Sequence, residues 1–208
     1  ALAEQFGVDT LRYFLMREVA FGQDGSYSPE AIVTRANAEL ANSFGNLAQR
    51  SLSMIFKNLD GKLSADQPLT DADRALLAEV DAGVGALKSA FADLAFSDGL
   101  DSWMRAVFAC NQYVDEQAPW TLRKTDPARM EAVLMVLLRA VRTLAIAVRP
   151  VVPASADKLL DQLGIAPDAR DFAALDNEQW FEQLVASGFT VTQPVGVFPR
   201  LELPAESA

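Results

Sequence analysis

The stretch that decides the fold is PARMEAVLMVLLRAVRTLAIAV, residues 127–148. Apolar side chains surround it on nearly every face, which is typical of a helix buried at the centre of a bundle. The charged residues that interrupt its most apolar part are Glu131, Arg139 and Arg142. Its apolar runs are therefore shorter than the ~18 residues that a membrane-spanning helix needs. Pro150 and Pro153 end the helix.

Helical patterns continue on both sides of this central helix. We expect further helices at residues 10–19 with Asp9 as the N-cap, at 30–58, from a Thr70 cap onward, from Ser97 to just before Pro119, and at 154–163. Loop compositions lie at 21–29 and after Asp60-Gly61, and extended stretches lie at 190–192 and 195–203. The pattern predicts an all-α fold: a short N-terminal connector (1–29), an antiparallel helix bundle (30–166) and an extended C-terminal tail (167–208).

Composition excludes several classes of active site. The chain has no histidine and one cysteine, Cys110. This excludes histidine-based acid–base catalysis, Ser-His-Asp and Cys-His nucleophiles, His-liganded zinc, cysteine-rich metal clusters and an intrachain disulfide. A reducing, cytoplasmic setting fits this cysteine usage. The net charge of −10 argues against bulk attraction of nucleic acid, but it leaves open docking at a small local patch.

Five strings stand in a fixed order along the chain. They are FGVDTLRY (6–13), FGQDGSYS (21–28), RANAELAN (35–42) with Gly45-Asn46-Leu47 and Arg50, NQY (111–113) with APW (118–120), and VFPRL (197–201). This ordered set resembles the C-terminal part of the bacterial methionyl-tRNA synthetases, a family of class I aminoacyl-tRNA synthetases. Each string alone is a weak signal, whereas together they cover nearly the whole chain.

The resemblance implies a function and a set of partners. It implies an anticodon-binding bundle that reads the CAU anticodon of initiator and elongator methionine tRNA within an ATP-dependent methionine–tRNA ligase. The HIGH and KMSKS motifs and the cysteine-rich zinc knob of that family do not occur in this sequence. We therefore expect no catalytic residue, metal site or cofactor here. ATP and zinc would belong to a catalytic half, which would itself be a partner. Neither DNA nor a membrane is expected as a partner.

Asn46 and Arg50 are the first candidates for reading a base. They lie four residues apart, so a helix places them on one face, where an amide beside a guanidinium can hydrogen-bond the edge of an unstacked base. By resemblance they contact the first anticodon base, a cytosine, with Asn42 and Arg35 in support. The alternative is that this polar stripe is the solvated face of an amphipathic helix.

Trp120 is the second kind of candidate. It follows Pro119, where the preceding helix must end, and a tryptophan at such a corner can stack on a flipped-out base. By resemblance Pro119 and Trp120 have this role, and we expect Asn111 and Asp115 to brace the corner. The alternative is a core tryptophan beneath the bundle.

One other function remains open. A helical protein–protein interaction module that has lost RNA binding suits the acidic charge equally well, whereas a free-standing enzyme lacks a recognisable pair of catalytic carboxylates. Local charge separates the readings, because basic residues around Trp120 favour RNA and carboxylates there favour a protein partner. The basic residues concerned are Arg35, Arg50, Arg123 and Lys124.

Overall fold

The computed structural model describes residues 2–20 and 22–203. Across these residues the chain forms α-helices, short 3-10 turns and one π-helical segment, and no β-strand, which confirms the all-α prediction. The α-helices are α1 (Leu2–Phe6), α2 (Val8–Glu18), α3 (Pro29–Arg35), α4 (Asn46–Asn58), α5 (Asp71–Ala92), α6 (Phe96–Gln117), α7 (Pro119–Thr125), α8 (Pro127–Val148), α9 (Pro153–Gln162) and α10 (Trp180–Ala186). The π segment, Ala36–Gly45, joins α3 to α4.

The central helix α8 has the predicted bounds. Pro127 occupies its first turn, where the missing N–H has no cost, and the Asp126 carboxylate accepts a hydrogen bond from the Arg129 backbone N–H at 3.1 Å. Most of its side chains are buried, and α4, α5, α6, α7 and α9 pack around it. Trp103 of α6 is fully buried against it and donates its indole N–H to the Leu144 carbonyl at 3.0 Å. None of the described helices is long and apolar enough to cross a membrane.

Helices α5 and α6 form a long antiparallel hairpin. The predicted Thr70 cap is confirmed as a capping box, since the Thr70 hydroxyl accepts from the Asp73 backbone N–H and the Asp73 carboxylate accepts from the Thr70 N–H. Gly83 allows the two helices to approach closely, because a Cβ there would lie 3.0 Å from the Ala106 methyl. The predicted start at Ser97 is one residue late, as α6 begins at Phe96.

The helix predicted at 30–58 is continuous but not regular. Its middle is the π segment, in which the Ser43 hydroxyl donates to the Ala38 carbonyl five residues back, at 2.8 Å. A π turn contains more residues than an α turn, so it rotates the helix that follows it relative to the helix that precedes it. Gly45 ends the segment where a Cβ would lie 2.8 Å from the Leu40 carbonyl oxygen and 3.3 Å from the Phe198 ring. The faces of α3 and α4 are therefore out of phase with an ideal helix.

The predicted N-cap at Asp9 is wrong. Helix α2 begins at Val8, and its N-cap is Gly7, whose φ of 84° suits glycine. The Asp9 carboxylate instead accepts from the Ser155 backbone N–H at 2.6 Å, so it joins α2 to the start of α9. Phe21, the first residue of the predicted 21–29 loop, lies outside the described residues.

The C-terminal tail was predicted to be extended, but its first part contains two 3-10 turns, Pro167–Ala169 and Phe172–Asp176, and helix α10. The rest of the described tail lies back on the bundle and forms no strand. The Val191 N–H donates to the Gly61 carbonyl at 2.8 Å, and the Phe198 ring packs 5.8 Å from the Phe44 ring. The Asn37 side chain then binds the Leu201 backbone on both sides: its amide nitrogen donates to the carbonyl at 2.9 Å and its oxygen accepts from the N–H at 2.8 Å. The tail thus completes the surface formed by the π segment and α4.

Candidate nucleic-acid interface

The corner that carries Trp120 is a sharp turn between α6 and α7. Ala118 is both the C-cap of α6 and the N-cap of α7, with φ 44° and ψ 60°. A left-handed conformation costs a non-glycine residue roughly 1–2 kcal/mol, so the surrounding structure must hold it. Pro119 is buried at the first position of α7, whereas Trp120 beside it is 47% exposed. The corner therefore presents a half-exposed indole ring on a fixed base.

Arg50 faces this ring. Its guanidinium carbon lies 5.5 Å from the centroid of the Trp120 ring, which is cation–π distance. The Asp115 carboxylate lies 3.8 Å from the same guanidinium. Both side chains of that ion pair are substantially exposed, so the pair contributes between zero and about 1 kcal/mol and can yield to a ligand. Asp115 thus lies at the corner and contacts Arg50, and its bracing of the corner stays a prediction.

An open cleft of about 470 Å³ lies between α4 and α7. Its lining contains three basic side chains and no carboxylate: Gln49, Arg50, Ser53, Met54, Lys57, Asn58, Trp120 and Arg123. A chain with a net charge of −10 has here a locally cationic surface around an exposed aromatic ring. Lys57 was missed from the sequence, although it lies seven residues, or two helical turns, after Arg50.

Asn46 and Asn42 line an adjoining depression. This depression, of about 320 Å³, lies between the π segment, the start of α4 and the tail residues Phe198 and Arg200. Gln49 lines both it and the Trp120 cleft, so the two form one continuous surface along α4. Asn46 and Arg50 are therefore brought to neighbouring parts of one surface, one helical turn apart.

The structure does not bring Arg35 to this surface. Its guanidinium pairs with Glu18 and, at 2.9 Å, with Glu39, which also accepts hydrogen bonds from Tyr13 and Arg17. The π segment lies between Arg35 and α4, so helical spacing counted along an ideal helix misplaces it. Arg35 therefore joins α3 to α2 and lines neither the Trp120 cleft nor the adjoining depression. A supporting role toward RNA stays a prediction.

Asn111 braces the site indirectly. Its amide nitrogen lies 3.1 Å from the Val107 carbonyl oxygen and 3.4 Å from the Ser43 carbonyl oxygen, so it joins α6 to the π segment. These contacts are to the backbone near Asn42 and Asn46. In this structure Asn111 supports the neighbouring depression, and its bracing of the Trp120 corner stays a prediction.

A hydrogen-bond cluster around the buried Asp73 carboxylate, behind the corner, was not predicted from the sequence. The fully buried Asp73 carboxylate accepts from both terminal nitrogens of Arg129, at 2.6 and 2.7 Å, and from the Tyr113 hydroxyl. Arg129 Nη2 also donates to the Gln117 side-chain oxygen at 2.7 Å. We call these four residues the corner clamp. Burial alone would raise the pKa of Asp73, but hydrogen bonds from Arg129, Tyr113 and the Thr70 N–H outweigh it and lower that pKa to about 2.

The described residues contain no cluster of side chains that could hold a metal ion. Among them no three histidine, cysteine, aspartate or glutamate side chains gather as a possible metal site. Cys110 is fully buried, and burial raises the pKa of its thiol to about 12, so it remains a protonated packing residue. The family's zinc knob and adenylate-forming motifs have no counterpart among these side chains.

Two family descriptions match the sequence. Residues 64–205 match "Anticodon binding domain of methionyl tRNA ligase", and residues 1–52 match "tRNA synthetases class I (M)". Similar proteins include the methionine–tRNA ligase of Brucella suis biovar 1, which is 49% identical over 96% of this chain and 38% of that protein. The methionine–tRNA ligase of Mycobacterium tuberculosis H37Rv is 47% identical over 98% of this chain and 39% of that protein.

Solved structures agree with these sequence matches. The apo form of Mycobacterium tuberculosis methionyl-tRNA synthetase is 47% identical, with a TM-score of 0.90 over 98% of this chain and 41% of that chain. The same enzyme in complex with methionyl-adenylate gives a TM-score of 0.85 over 96% of this chain. The chain thus spans about two fifths of the length of the relatives that it matches. With the helix bundle and the match over most of its length, the chain belongs to the anticodon-binding domain family of the methionyl-tRNA ligases.

Proposed function

We propose that this chain recognises the CAU anticodon loop of initiator and elongator methionine tRNA. The observation that carries the proposal is the Arg50–Trp120 pair, in which an exposed ring and a guanidinium stand 5.5 Å apart over a cleft lined by further cations. Sequence-specific RNA recognition targets unstacked bases, which aromatic or arginine planes stack and neighbouring side chains hydrogen-bond.

Each side chain of the surface has a chemistry that suits this role. Trp120 offers a stacking face for one base. Arg50 carries only donors, which match the O2 and N3 acceptors of cytosine, while the Asn46 amide oxygen can accept from the cytosine amino group. Lys57 and Arg123 are exposed at the cleft and suit the adjacent phosphates. A purine or uracil presents a different edge to Asn46 and Arg50, so these two residues would supply the specificity.

The wider activity belongs to the same proposal. In the whole protein, this domain would present the tRNA to a catalytic half that ligates methionine using ATP, with zinc in that half, in the cytoplasm. The residues of this chain would contribute binding and orientation of the anticodon stem. We expect the chain alone to form no methionyl-adenylate, since its side chains provide neither adenylate-forming motif of the family.

Binding of two stem-loop RNAs at low salt tests the proposal. The RNAs are identical except for the anticodon, CAU in one and GAU in the other, and affinity is measured by fluorescence anisotropy. We expect the CAU loop to bind more tightly, by about 5- to 150-fold if one base contact worth 1–3 kcal/mol is lost. With about three cations at the cleft, log Kd should rise with log salt with a slope near 2. Equal binding of both RNAs would contradict the proposed specificity, and a lack of binding to either would contradict RNA recognition by this chain.

The protein-interaction reading is the weaker of the two. It called for carboxylates around Trp120. The Asp115 carboxylate does lie at this corner, 3.8 Å from Arg50, but the cleft lining contains Arg50, Lys57 and Arg123 and no acidic side chain. Of the four basic residues expected there, Arg50 and Arg123 line the cleft. The local charge therefore supports an anionic ligand at this corner.

A further inference from the structure

The corner clamp connects three helices at the point from which Trp120 projects. Asp73 lies in the first turn of α5, Tyr113 and Gln117 lie in the last two turns of α6, and Arg129 lies in the first turn of α8. Helix α7, only seven residues long, runs from the end of α6 to the start of α8. Both ends of the short helix that carries the ring are therefore held by one cluster of hydrogen bonds around the buried Asp73 carboxylate.

The corner needs such support because its backbone is strained. Ala118 has a φ of 44° without being a glycine, and a conformation of this kind persists only where the surrounding structure over-determines it. Gln117 is the residue immediately before Ala118, and its side-chain oxygen accepts from Arg129 Nη2 at 2.7 Å. This contact is the direct link between the buried ion pair and the strained turn.

We propose that Arg129, held by Asp73 and acting through Gln117, is a positioning residue that sets the Trp120 ring for base stacking. The inference rests on the proposed function, since it concerns how the Trp120 ring of the same site is held in position. It assigns the buried ion pair a part in RNA specificity in addition to fold stability. If the corner clamp had a purely structural role, it would stabilise the three helices equally well without setting the position of the Trp120 ring.

Two variants separate the positioning role from the structural one. Gln117→Ala removes only the link, because the Asp73–Arg129 pair remains intact. Arg129→Lys keeps the charge but loses the planar fork that reaches Asp73 and Gln117 together. The matched control is Arg170→Lys, which disrupts a different ion-paired arginine, 6% exposed and bound to Asp157 and Asp161.

The position of the ring can be measured without RNA. The chain has three tryptophans, so incorporation of 5-fluorotryptophan gives three fluorine NMR resonances, each assigned by a tryptophan-to-phenylalanine substitution. We expect the Trp120 resonance to shift or broaden in Gln117→Ala and Arg129→Lys, and to stay in place in Arg170→Lys. Binding of the CAU stem-loop should fall at least about fivefold in the first two variants, the lower end of what loss of one stacked base produces.

The outcomes are decisive in either direction. An unchanged Trp120 resonance in Gln117→Ala, or a loss of CAU affinity in Arg170→Lys as large as in Arg129→Lys, would overturn the positioning role. Failure of the wild-type chain to prefer CAU over GAU would instead remove the proposed function. In that case the fluorine resonances still decide whether the clamp directs the ring.

Discussion

Replacement of Trp120 by alanine is the most direct test of the cleft. The ring is 47% exposed, so about half of it remains available to a base. Loss of one stacked base costs about 1–3 kcal/mol, which predicts a 5- to 150-fold weaker affinity for the CAU stem-loop. A fully buried tryptophan costs about 3–5 kcal/mol when truncated, and half that burial gives roughly 2 kcal/mol. For a chain of this size the melting temperature should then fall by only about 4–8 °C.

The assay compares binding and melting of the variant with those of a matched control. Phe108→Ala removes another exposed aromatic side chain, 54% exposed, from a separate depression that also contains Glu79 and Glu116. We expect this control to leave CAU affinity within about twofold of wild type, because carboxylates repel phosphates. An equal loss of affinity in both variants would refute the stacking role. A melting temperature that falls as far as in Trp103→Ala would show instead that Trp120 acts as a core residue.

Three further outcomes are expected. Asn46→Ala and Arg50→Ala should each reduce the CAU-over-GAU preference by about 1–3 kcal/mol in the same anisotropy assay, and equal weakening toward both RNAs would contradict their assignment. The pKa of Asp73 is lowered from 3.8 to about 2, so the ionised side chain stabilises the fold by about 2 kcal/mol above pH 4, and this stabilisation is lost as the pH falls through 2. In urea unfolding, Asp73→Asn should therefore lose less stability than wild type between pH 7 and pH 3, and parallel pH profiles of the two proteins would contradict this. Gly61→Ala should destabilise the chain by about 1–3 kcal/mol in thermal melts, because the φ of Gly61 is +75° and the new Cβ would lie 2.3 Å from the Val191 carbonyl oxygen. A melting temperature equal to that of wild type would show that the tail does not pack there.

Most of the fold could be predicted because its determinants are local. The Thr70 cap with Asp73 three residues later, the proline in the first turn of α8, and the positive-φ pair Asp60-Gly61 all act within a few residues. Helix α7 was missed because its local signal has two meanings. Pro119 was interpreted only as the end of α6, yet proline is equally favoured at the first position of a new helix.

The site could be predicted only in part, because its geometry depends on contacts distant in sequence. Arg50 and Trp120 are 70 residues apart, and their pairing required the family resemblance. Arg35 lines neither the cleft nor the depression because the π segment rotates α4 relative to α3, and no residue pattern in 36–45 marks that change. The corner clamp could not be predicted for a different reason. Asp73, Tyr113 and Arg129 each suit a helix surface, and only tertiary packing brings them into contact.

The arrangement of charge explains how a chain with a negative net charge can bind an anionic ligand. Most of the arginines that could attract RNA are occupied by carboxylates within the chain; examples are Arg17, Arg35, Arg129, Arg149 and Arg170. At the Trp120 cleft the balance reverses, because Arg50 has only a weak exposed pair. Lys57 and Arg123 form no ion pair with any described residue. Long-range repulsion then disfavours RNA that docks elsewhere, while a loop that inserts a base gains stacking and three nearby cations. Specificity would arise from this contrast, since nonspecific phosphate attraction is low across the rest of the surface.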